Sequence, residues 1–189
     1  LVGETVKLQN NSTYTITEDL HDFIVFMMSS MLRPTVAEVY SLKHKHINIK
    51  EVKGTEYIEF NLKRKNRQMT VQTLPTGRYA YRDIVERNPD YDPEDYLFLP
   101  EFKGRRHAMR VMSSMFQYLL KKCNLLTDRD GHKCTSYSLR HTSIVLNLLN
   151  SEVTPMQIAR RADTSLKMID EFYYPITQMN SDLEEYLRI

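Results

Sequence analysis

Residues 137–144 constrain the fold more than any other stretch, because they place a basic pair, Arg140-His141, at the head of an apolar helix. The apolar residues after this pair share one helical face: Ile144, Val145, Leu148 and Leu149. Packing of that face would hold the Arg140 side chain in place. A fixed arginine either pairs with a carboxylate of its own fold or holds a phosphate through two hydrogen bonds. This stretch alone is compatible with both roles.

Length and cysteine usage limit the class of protein. The chain has 189 residues, enough for one domain with its own core, so we expect a single domain over residues 1–189. Its longest uncharged apolar run, residues 23–32, is about half of the ~20 residues that a membrane helix needs. Two cysteines give no disulfide framework. We therefore expect a cytoplasmic protein without a membrane partner.

Charge is distributed unevenly along the chain. Residues 41–67 carry eight basic and three acidic side chains, and residues 102–126 carry six basic side chains and no acid. The acidic residues gather between positions 83 and 101. This separation favours a polyanion bound on the basic side, and a solvated surface without a partner is the alternative.

Hydrophobic periodicity predicts the order of the elements. A buried helix from a cap near Thr15 to Leu32 is interrupted by Pro34, and a helical period resumes over residues 36–42. Three short strands follow at residues 46–50, 56–62 and 68–74, with a basic hairpin tip at 63–67. Residues 75–77 close this hairpin and residues 88–100 form a surface loop. Helices over 108–123, from 137, over 154–161 and over 165–174 complete the chain, the last one capped by Asp163 or Thr164.

Four sequence boxes carry a family resemblance. They are Met31-Leu32-Arg33-Pro34-Thr35 with Glu38, the basic hairpin, Tyr137-Ser138-Leu139-Arg140-His141-Thr142, and the run from Thr164 to Tyr173. Their order and spacing resemble the catalytic domain of the tyrosine recombinase (phage integrase) family over residues 15–175. The resemblance implies a mainly α fold with a small three-stranded antiparallel sheet.

The resemblance also implies a reaction, the cleavage and rejoining of DNA strands through a covalent 3′-phosphotyrosyl intermediate. Arg33 and Arg140 correspond to the two arginines that neutralise the phosphate. A hairpin lysine, Lys63 with Lys65 as the alternative, would protonate the leaving 5′ oxygen. The nucleophile would be Tyr173, with Tyr174 as the alternative.

Other residues are assigned supporting roles by the resemblance. Glu38 would support the first arginine, and His141 and Thr164 would be structural neighbours of the site. The predicted DNA contacts are Lys65, Arg67, Lys103, Arg105 and Arg106.

Two departures from the family pattern bear on the mechanism. Tyr137 stands where the family has histidine, and the resemblance makes it a catalytic residue whose hydroxyl can donate to the phosphate. A phenol is a poorer proton acceptor than an imidazole at neutral pH, so it is poorly suited to be the general base. Residues 162–164 stand where the family has Gly-His. If Thr164 takes that position the nucleophile is Tyr173, and if Asp163 takes it the position falls on Phe172, which cannot attack. We prefer Tyr173 and expect Phe172 to pack.

The implied partners are double-stranded DNA and further copies of the chain in a homotetramer on paired sites. No metal or cofactor is expected, since the spacing of Cys123, His132, Cys134 and His141 matches no common zinc finger. A tail at about 176–189 would dock on a neighbouring protomer, and an N-terminal core-binding domain would be missing from this bacterial or phage-encoded fragment. The alternatives are a catalytically degenerate DNA-binding module and a type IB topoisomerase.

Overall fold

A computed structural model describes residues 1–8, 12–64, 67–149 and 153–173, apart from the side chains of residues 64 and 67. The elements in chain order are β1 (Thr5–Lys7), β2 (Thr13–Thr15), α1 (Asp19–Ser30), β3 (Asn48–Val52), β4 (Thr55–Arg64), β5 (Arg67–Gln72), α2 (Pro75–Arg87), α3 (Arg105–Lys122), α4 (Ser136–Leu148), α5 (Pro155–Ala162) and α6 (Leu166–Phe172). Strands β3, β4 and β5 form one antiparallel sheet. The predicted mainly α fold with a three-stranded antiparallel sheet is confirmed.

The sheet buries one face against helices. Alternate residues of β4, Ile58, Phe60 and Leu62, are buried, and Phe60 lies opposite Val71 of β5. The ring of Phe60 packs on that of Phe26 in α1, with centroids 6.1 Å apart. Each such side chain contributes about 1.5–3 kcal/mol when it is removed from water. This packing fixes the β4–β5 hairpin relative to α1.

Helix α1 ends at Ser30, and the chain changes direction directly after it. Met31 adopts a left-handed conformation (φ 54°) and caps the helix, and its N–H bonds to the Met27 carbonyl. Pro34 disfavours helical geometry at Arg33, so the chain turns away there. The predicted helix over residues 36–42 is wrong, because only a 3-10 turn forms at Val39–Ser41. Its apolar residues are buried as a compact turn instead.

Helix α2 was not predicted from the sequence. Residues 75–77 start this helix instead of closing a hairpin, and Pro75 occupies the first turn, where its missing N–H costs nothing. The buried face consists of Gly77, Ala80, Tyr81 and Ile84. A Cβ on Gly77 would lie 2.5 Å from Ser29 Oγ, so this glycine permits the close approach of α2 to α1. Two small residues in the face conceal its apolar period.

The segment 88–100 is only partly a surface loop. Leu97, Phe98 and Leu99 are buried to within 1% of full burial, and Phe98 packs edge-on against Phe23 and Phe26 of α1. The prediction of a surface loop is therefore wrong for its second half. A two-stranded ribbon, β1–β2, was also not predicted. No helix among the described residues has the length and apolar character to cross a membrane.

A second, smaller core lies under helices α4, α5 and α6. Among the described residues it contains seven that are buried: Met31, Ile144, Ile158, Ala159, Ala162, Ile169 and Tyr173. Thr135, Thr154 and Ser165 cap α4, α5 and α6 through their hydroxyls. The prediction that Asp163 or Thr164 caps the last helix is therefore wrong.

The buried face of α4 is more polar than predicted. It consists of Arg140, Ser143, Ile144 and Asn147, whereas Leu149 is 42% exposed. Cys123, the last residue of the helix predicted over 108–123, is exposed at the C-terminal cap of α3. The buried face of α3 includes Met112, Met115 and Phe116.

Candidate active site

Arg33 is held by a carboxylate and by a helix end. Its Nη1 donates to Glu38 Oε1 at 2.9 Å, and its backbone N–H donates to Glu38 Oε2 at 2.9 Å. Its Nη2 donates to the Asp163 carbonyl at 3.1 Å. Glu38 is almost fully buried, whereas 31% of the Arg33 side chain is exposed. The guanidinium is therefore fixed at one edge and open to solvent at another, and the expected contact between Glu38 and Arg33 is present.

Arg140 joins the C-terminal ends of two helices. Its Nη1 donates to the carbonyl of Met31, beyond α1, and its Nη2 donates to the Ala162 carbonyl of α5 at 2.5 Å. Only 3% of the residue is exposed. A helix C-terminus carries partial negative charge, which stabilises a nearby cation by about 0.3–1 kcal/mol at an exposed site and by more when partly buried. The two carbonyls set the orientation of the guanidinium.

Both arginines converge on the same short stretch of backbone. Arg140 binds the carbonyl of Ala162 and Arg33 that of the next residue, Asp163. Asp163 ends α5 in a left-handed conformation (φ 49°), and its Oδ2 lies 3.8 Å from Arg33 Nη1. Because α1 and α5 both end here, residues far apart in sequence place two positive side chains side by side.

Tyr173 and His141 form a hydrogen-bonded pair beside these arginines. The Tyr173 hydroxyl lies 2.8 Å from His141 Nδ1, and the two rings are stacked with centroids 5.5 Å apart. Tyr137, one turn earlier on α4, lies against His141 with ring centroids 5.0 Å apart. Tyr173 belongs to the smaller core and is 7% exposed, whereas Phe172 is 59% exposed. The structure thus turns Tyr173 inward and Phe172 outward, so the prediction that Phe172 packs is wrong.

Charge and burial keep the Tyr173–His141 pair neutral at physiological pH. Burial raises the pKa of Tyr173 above its ordinary value; the positive charge of Arg140 opposes this, and Tyr137 adds to the rise. Burial lowers the pKa of His141, and Arg140 lowers it further. The phenol therefore keeps its proton and the imidazole is unprotonated, which fits an O–H group that donates to Nδ1.

Tyr137 interacts with Arg33 as well. Burial tends to lower the pKa of Arg33, but the hydrogen bond to Glu38 and the charge of that carboxylate raise it, and the nearby Tyr137 phenol adds to the rise. The net shift is upward. The Tyr137 phenol is therefore near enough to Arg33 to stabilise the guanidinium.

Other predicted residues lie on the surface or outside the described chain. Lys63 is exposed near the tip of the β4–β5 hairpin, opposite Gln68. Lys103 and Arg106 are exposed at the start of α3, and Thr164 is half-buried after α5. The residues or side chains that lie outside the described part are Lys65, the side chain of Arg67, Tyr174 and the tail 176–189. The approach of Lys63 to the arginines stays a prediction.

Arg105 was predicted to contact DNA, and its position corrects that prediction. The residue is 7% exposed, and its guanidinium donates to four backbone carbonyls, those of Tyr40, Phe98, Leu99 and Phe102. It also lies 4.0 Å from the centroid of the Tyr96 ring. A guanidinium with these partners joins the start of α3 to the buried 97–99 segment and does not face solvent.

Asp163 was not predicted to be a partner of Arg33. The signal available was an acid among the residues that replace the Gly-His of the family, and Asp163 was considered only as a helix cap and as an occupant of the histidine position. Ser143 was missed too, although it is 1% exposed and donates through Oγ to the Met28 carbonyl of α1. Short-range patterns do not reveal hydrogen bonds between residues more than a hundred positions apart.

Comparison with known proteins identifies the fold. No protein-family model matches the sequence, and no curated protein matches it significantly. A solved structure of the Tn1549 transposon integrase with circular intermediate DNA is 17% identical, with a TM-score of 0.53, and the match covers 84% of this chain and 56% of that chain. A tyrosine-to-phenylalanine variant of the same integrase with transposon right-end DNA is 18% identical, with a TM-score of 0.52, over 82% and 54%.

These likenesses show the fold of this chain. Its helices and three-stranded sheet share the fold of the matched part of the Tn1549 integrase, and this is the kind of fold that the four boxes led us to expect. The chain spans a little over half the length of the solved integrase chains that it matches.

Proposed function

We propose that this chain is the catalytic domain of a site-specific DNA recombinase that cleaves and rejoins DNA through a 3′-phosphotyrosyl intermediate, with Tyr173 as the nucleophile. One observation carries the proposal: the Tyr173 hydroxyl is hydrogen-bonded to His141 beside Arg140. Arg140 and Arg33 donate to the adjacent carbonyls of residues 162 and 163, so both arginines lie close together there. The shared fold with an integrase solved on DNA supports DNA as the substrate.

The proposed chemistry starts with the phosphate. A phosphodiester is an anion that repels nucleophiles, and negative charge builds up on its oxygens as a fifth bond to phosphorus forms. Arg33, 31% of whose side chain is exposed, stabilises that charge by direct contact with the phosphate. Arg140 is 3% exposed and holds backbone carbonyls with both Nη atoms, so it acts through its permanent positive charge. Glu38 and the carbonyls of residues 31, 162 and 163 orient the two guanidinium groups before DNA arrives.

Covalent transfer follows in balanced steps. The Tyr173 oxygen bonds to phosphorus as the bond from phosphorus to the 5′ oxygen breaks, and the 3′ phosphate stays on the enzyme. Lys63 gives a proton to the departing 5′ oxygen. A 5′ hydroxyl of a second strand then attacks the phosphotyrosine, and the tyrosine leaves. The phosphotyrosyl ester conserves the energy of the broken bond, so rejoining needs no ATP.

Double-stranded DNA is the proposed partner, bound by exposed basic side chains such as Lys103 and Arg106. A homotetramer on paired sites, within a bacterial or phage-derived mobile element, completes the proposal. Strand exchange needs four cleavage events, and one Tyr173 per subunit supplies one each.

The test uses a pool of nicked DNA duplexes of random sequence, because a nick lets the cleaved end diffuse away and traps the covalent complex. The wild-type chain is expected to yield DNA-linked protein that survives denaturing electrophoresis. Tyr173→Phe should abolish the adduct, since phenylalanine has no nucleophile. Tyr79→Phe, an exposed tyrosine on α2, is the matched control and should give the wild-type yield.

Other outcomes assign the alternatives. Undiminished adduct from Tyr173→Phe with loss in Tyr174→Phe would move the nucleophile to Tyr174. Salt-sensitive DNA binding without adduct from any duplex would identify a recombinase-fold DNA-binding module that lacks turnover. Relaxation of supercoiled plasmid without site preference would indicate a type IB topoisomerase.

A further inference from the structure

The nucleophile proposed above needs a group to take its proton, and the structure offers two neighbours. Both lie on the first two turns of α4: Tyr137 and His141. Of these, the imidazole contacts the Tyr173 hydroxyl directly, through Nδ1 at 2.8 Å. A general base must lie within about 2.6–3.2 Å of the oxygen that it deprotonates. His141 meets that criterion in the described conformation.

Tyr137 is directed to another partner. It packs on the His141 ring, with centroids 5.0 Å apart, and it contributes to the raised pKa of Arg33. The group within hydrogen-bond distance of the Tyr173 hydroxyl is His141.

Charges around His141 suit proton acceptance. The titratable and charged groups that face it among the described residues are Arg140 and Tyr137 on its own helix and Tyr173 at the end of α6. Partial burial of the imidazole and the Arg140 charge lower its pKa, so the ring is neutral at physiological pH. Enough of the residue still contacts solvent that a proton taken from Tyr173 can pass on to water.

We propose that His141 is the general base of this site: its Nδ1 accepts the Tyr173 hydroxyl proton as the phenol oxygen attacks phosphorus. This inference rests on the proposed function, because it concerns the activation of the same nucleophile. The role differs from the structural one that the family resemblance gives to this histidine.

The proton transfers balance over one cycle of cleavage and rejoining. On cleavage, the hydrogen of the Tyr173 hydroxyl moves to Nδ1, the oxygen bonds to phosphorus, and the 5′ oxygen leaves with a proton from Lys63. On rejoining, the attacking 5′ hydroxyl gives its proton to Lys63, the bond from phosphorus to the Tyr173 oxygen breaks, and the imidazolium returns its proton to that oxygen. No oxidant, reductant or further reactant takes part.

The experiment measures the rate of adduct formation against pH, with a nicked duplex recovered from the wild-type adducts of the random pool. The wild-type rate should be level at neutral pH and fall only at acid pH, below the usual imidazole range near ~6.5, as His141 becomes protonated. His141→Gln, which keeps polar atoms but takes no proton, should lose roughly 10²–10⁴-fold at neutral pH and lose the acid limb.

Two further variants separate proton transfer from positioning. His141→Ala leaves space for an added base, so free imidazole in the buffer should restore part of its adduct rate, an effect that a merely structural histidine would not show. His132→Ala changes an exposed histidine on the loop before α4 and should match the wild type at every pH. Melting temperatures of all variants verify that each one is folded.

The outcomes distinguish the inference from the function on which it rests. Wild-type adduct together with an unchanged rate and acid limb in His141→Gln would overturn the inference and leave the recombinase function intact. A slowed His141→Gln with the wild-type pH profile, and no imidazole rescue of His141→Ala, would also overturn it, because the histidine would then only position Tyr173. Absence of adduct from the wild-type chain on every duplex would overturn both.

Discussion

The two cores of this chain differ in size, in composition and in the candidate-site residues that they support. The larger core is rich in aromatic rings and packs the sheet against α1, α2 and α3. In the described part of the chain, the smaller core has seven residues, two of which are alanines, and lies under α4, α5 and α6. Arg33 follows α1 and Lys63 lies on β4, elements that pack in the larger core, whereas Arg140 and His141 lie on α4 and Tyr173 follows α6, over the smaller core. The two arginines of the proposed site therefore come from different cores, and the proposed nucleophile stands on the smaller one.

The seam between the two cores is polar. Arg140 and Ser143 of α4 donate to carbonyls of α1 and its cap, and Arg33 donates to the carbonyl of Asp163. The donors at this seam find their carbonyls only when the two cores pack in one relative position, and a buried donor without an acceptor is costly. Placing the arginines at the seam therefore couples the shape of the site to the docking of the smaller core.

Substitutions that remove a large buried side chain from either core should have the largest effects on stability. Phe26→Ala removes a fully buried ring from the larger core and should lower the free energy of unfolding by about 3–5 kcal/mol. Ile169→Ala removes a buried side chain from the smaller core, at a local cost of about 2–5 kcal/mol. Denaturant unfolding measures the first effect, and amide hydrogen exchange locates the second.

The exchange pattern decides whether the cores are separate units. Phe26→Ala should speed exchange throughout the domain, whereas Ile169→Ala should speed it in α5 and α6 and leave β4 protected. Equal acceleration in β4 and α6 by Ile169→Ala would show that the domain unfolds as one unit.

The next effect concerns the carboxylate that holds Arg33. Glu38→Gln removes the charge of a side chain that is 4% exposed, and we expect a loss of about 1–2 kcal/mol, because the partly exposed Arg33 can turn to water. Thermal or denaturant unfolding measures it. Glu56→Gln is the control, since its ion pair with Arg78 is at the surface and should contribute less than about 1 kcal/mol. Equal losses in both variants would contradict a special role for the Arg33–Glu38 pair.

The smallest expected effect on stability comes from a single hydrogen bond at the seam. Ser143→Ala removes one buried hydrogen bond from α4 to α1 and should cost about 1 kcal/mol, with faster exchange in α4. The neighbouring exposed Thr142→Ala should stay within about 0.5 kcal/mol of the wild type. A Ser143→Ala variant as stable as Thr142→Ala would mean that the seam depends on Arg140 and packing alone.

Periodicity predicted the elements whose buried faces consist of large apolar residues. Strand β4 and helix α3 show such faces plainly, and both were predicted within a few residues. Helix α2 was missed because Gly77 and Ala80 occupy its buried face. The segment around Phe98 was taken for a loop because acids and prolines precede it. Local composition does not show that an irregular segment is buried by tertiary packing.

Part of the candidate site was predictable from the family resemblance of the four boxes, not from periodicity. The four boxes pointed to Arg33, Arg140 and Tyr173, and the structure brings these three to one place. The proposed role of His141 could not be predicted, since it depends on a ring contact across 32 residues of chain. Arg105 was assigned to the surface because sequence gives a charge without its burial.

Burial of Arg105 changes what salt should do to the proposed DNA complex. Each basic side chain that contacts a phosphate releases condensed counterions, so the logarithm of affinity falls with the logarithm of salt concentration by about 0.9 per contact on duplex DNA. Arg105 is 7% exposed and donates to four backbone carbonyls, so it contacts no phosphate and releases no counterions. The affinity of the proposed complex should therefore depend less steeply on ionic strength than the number of basic residues in the stretch 102–126 implies.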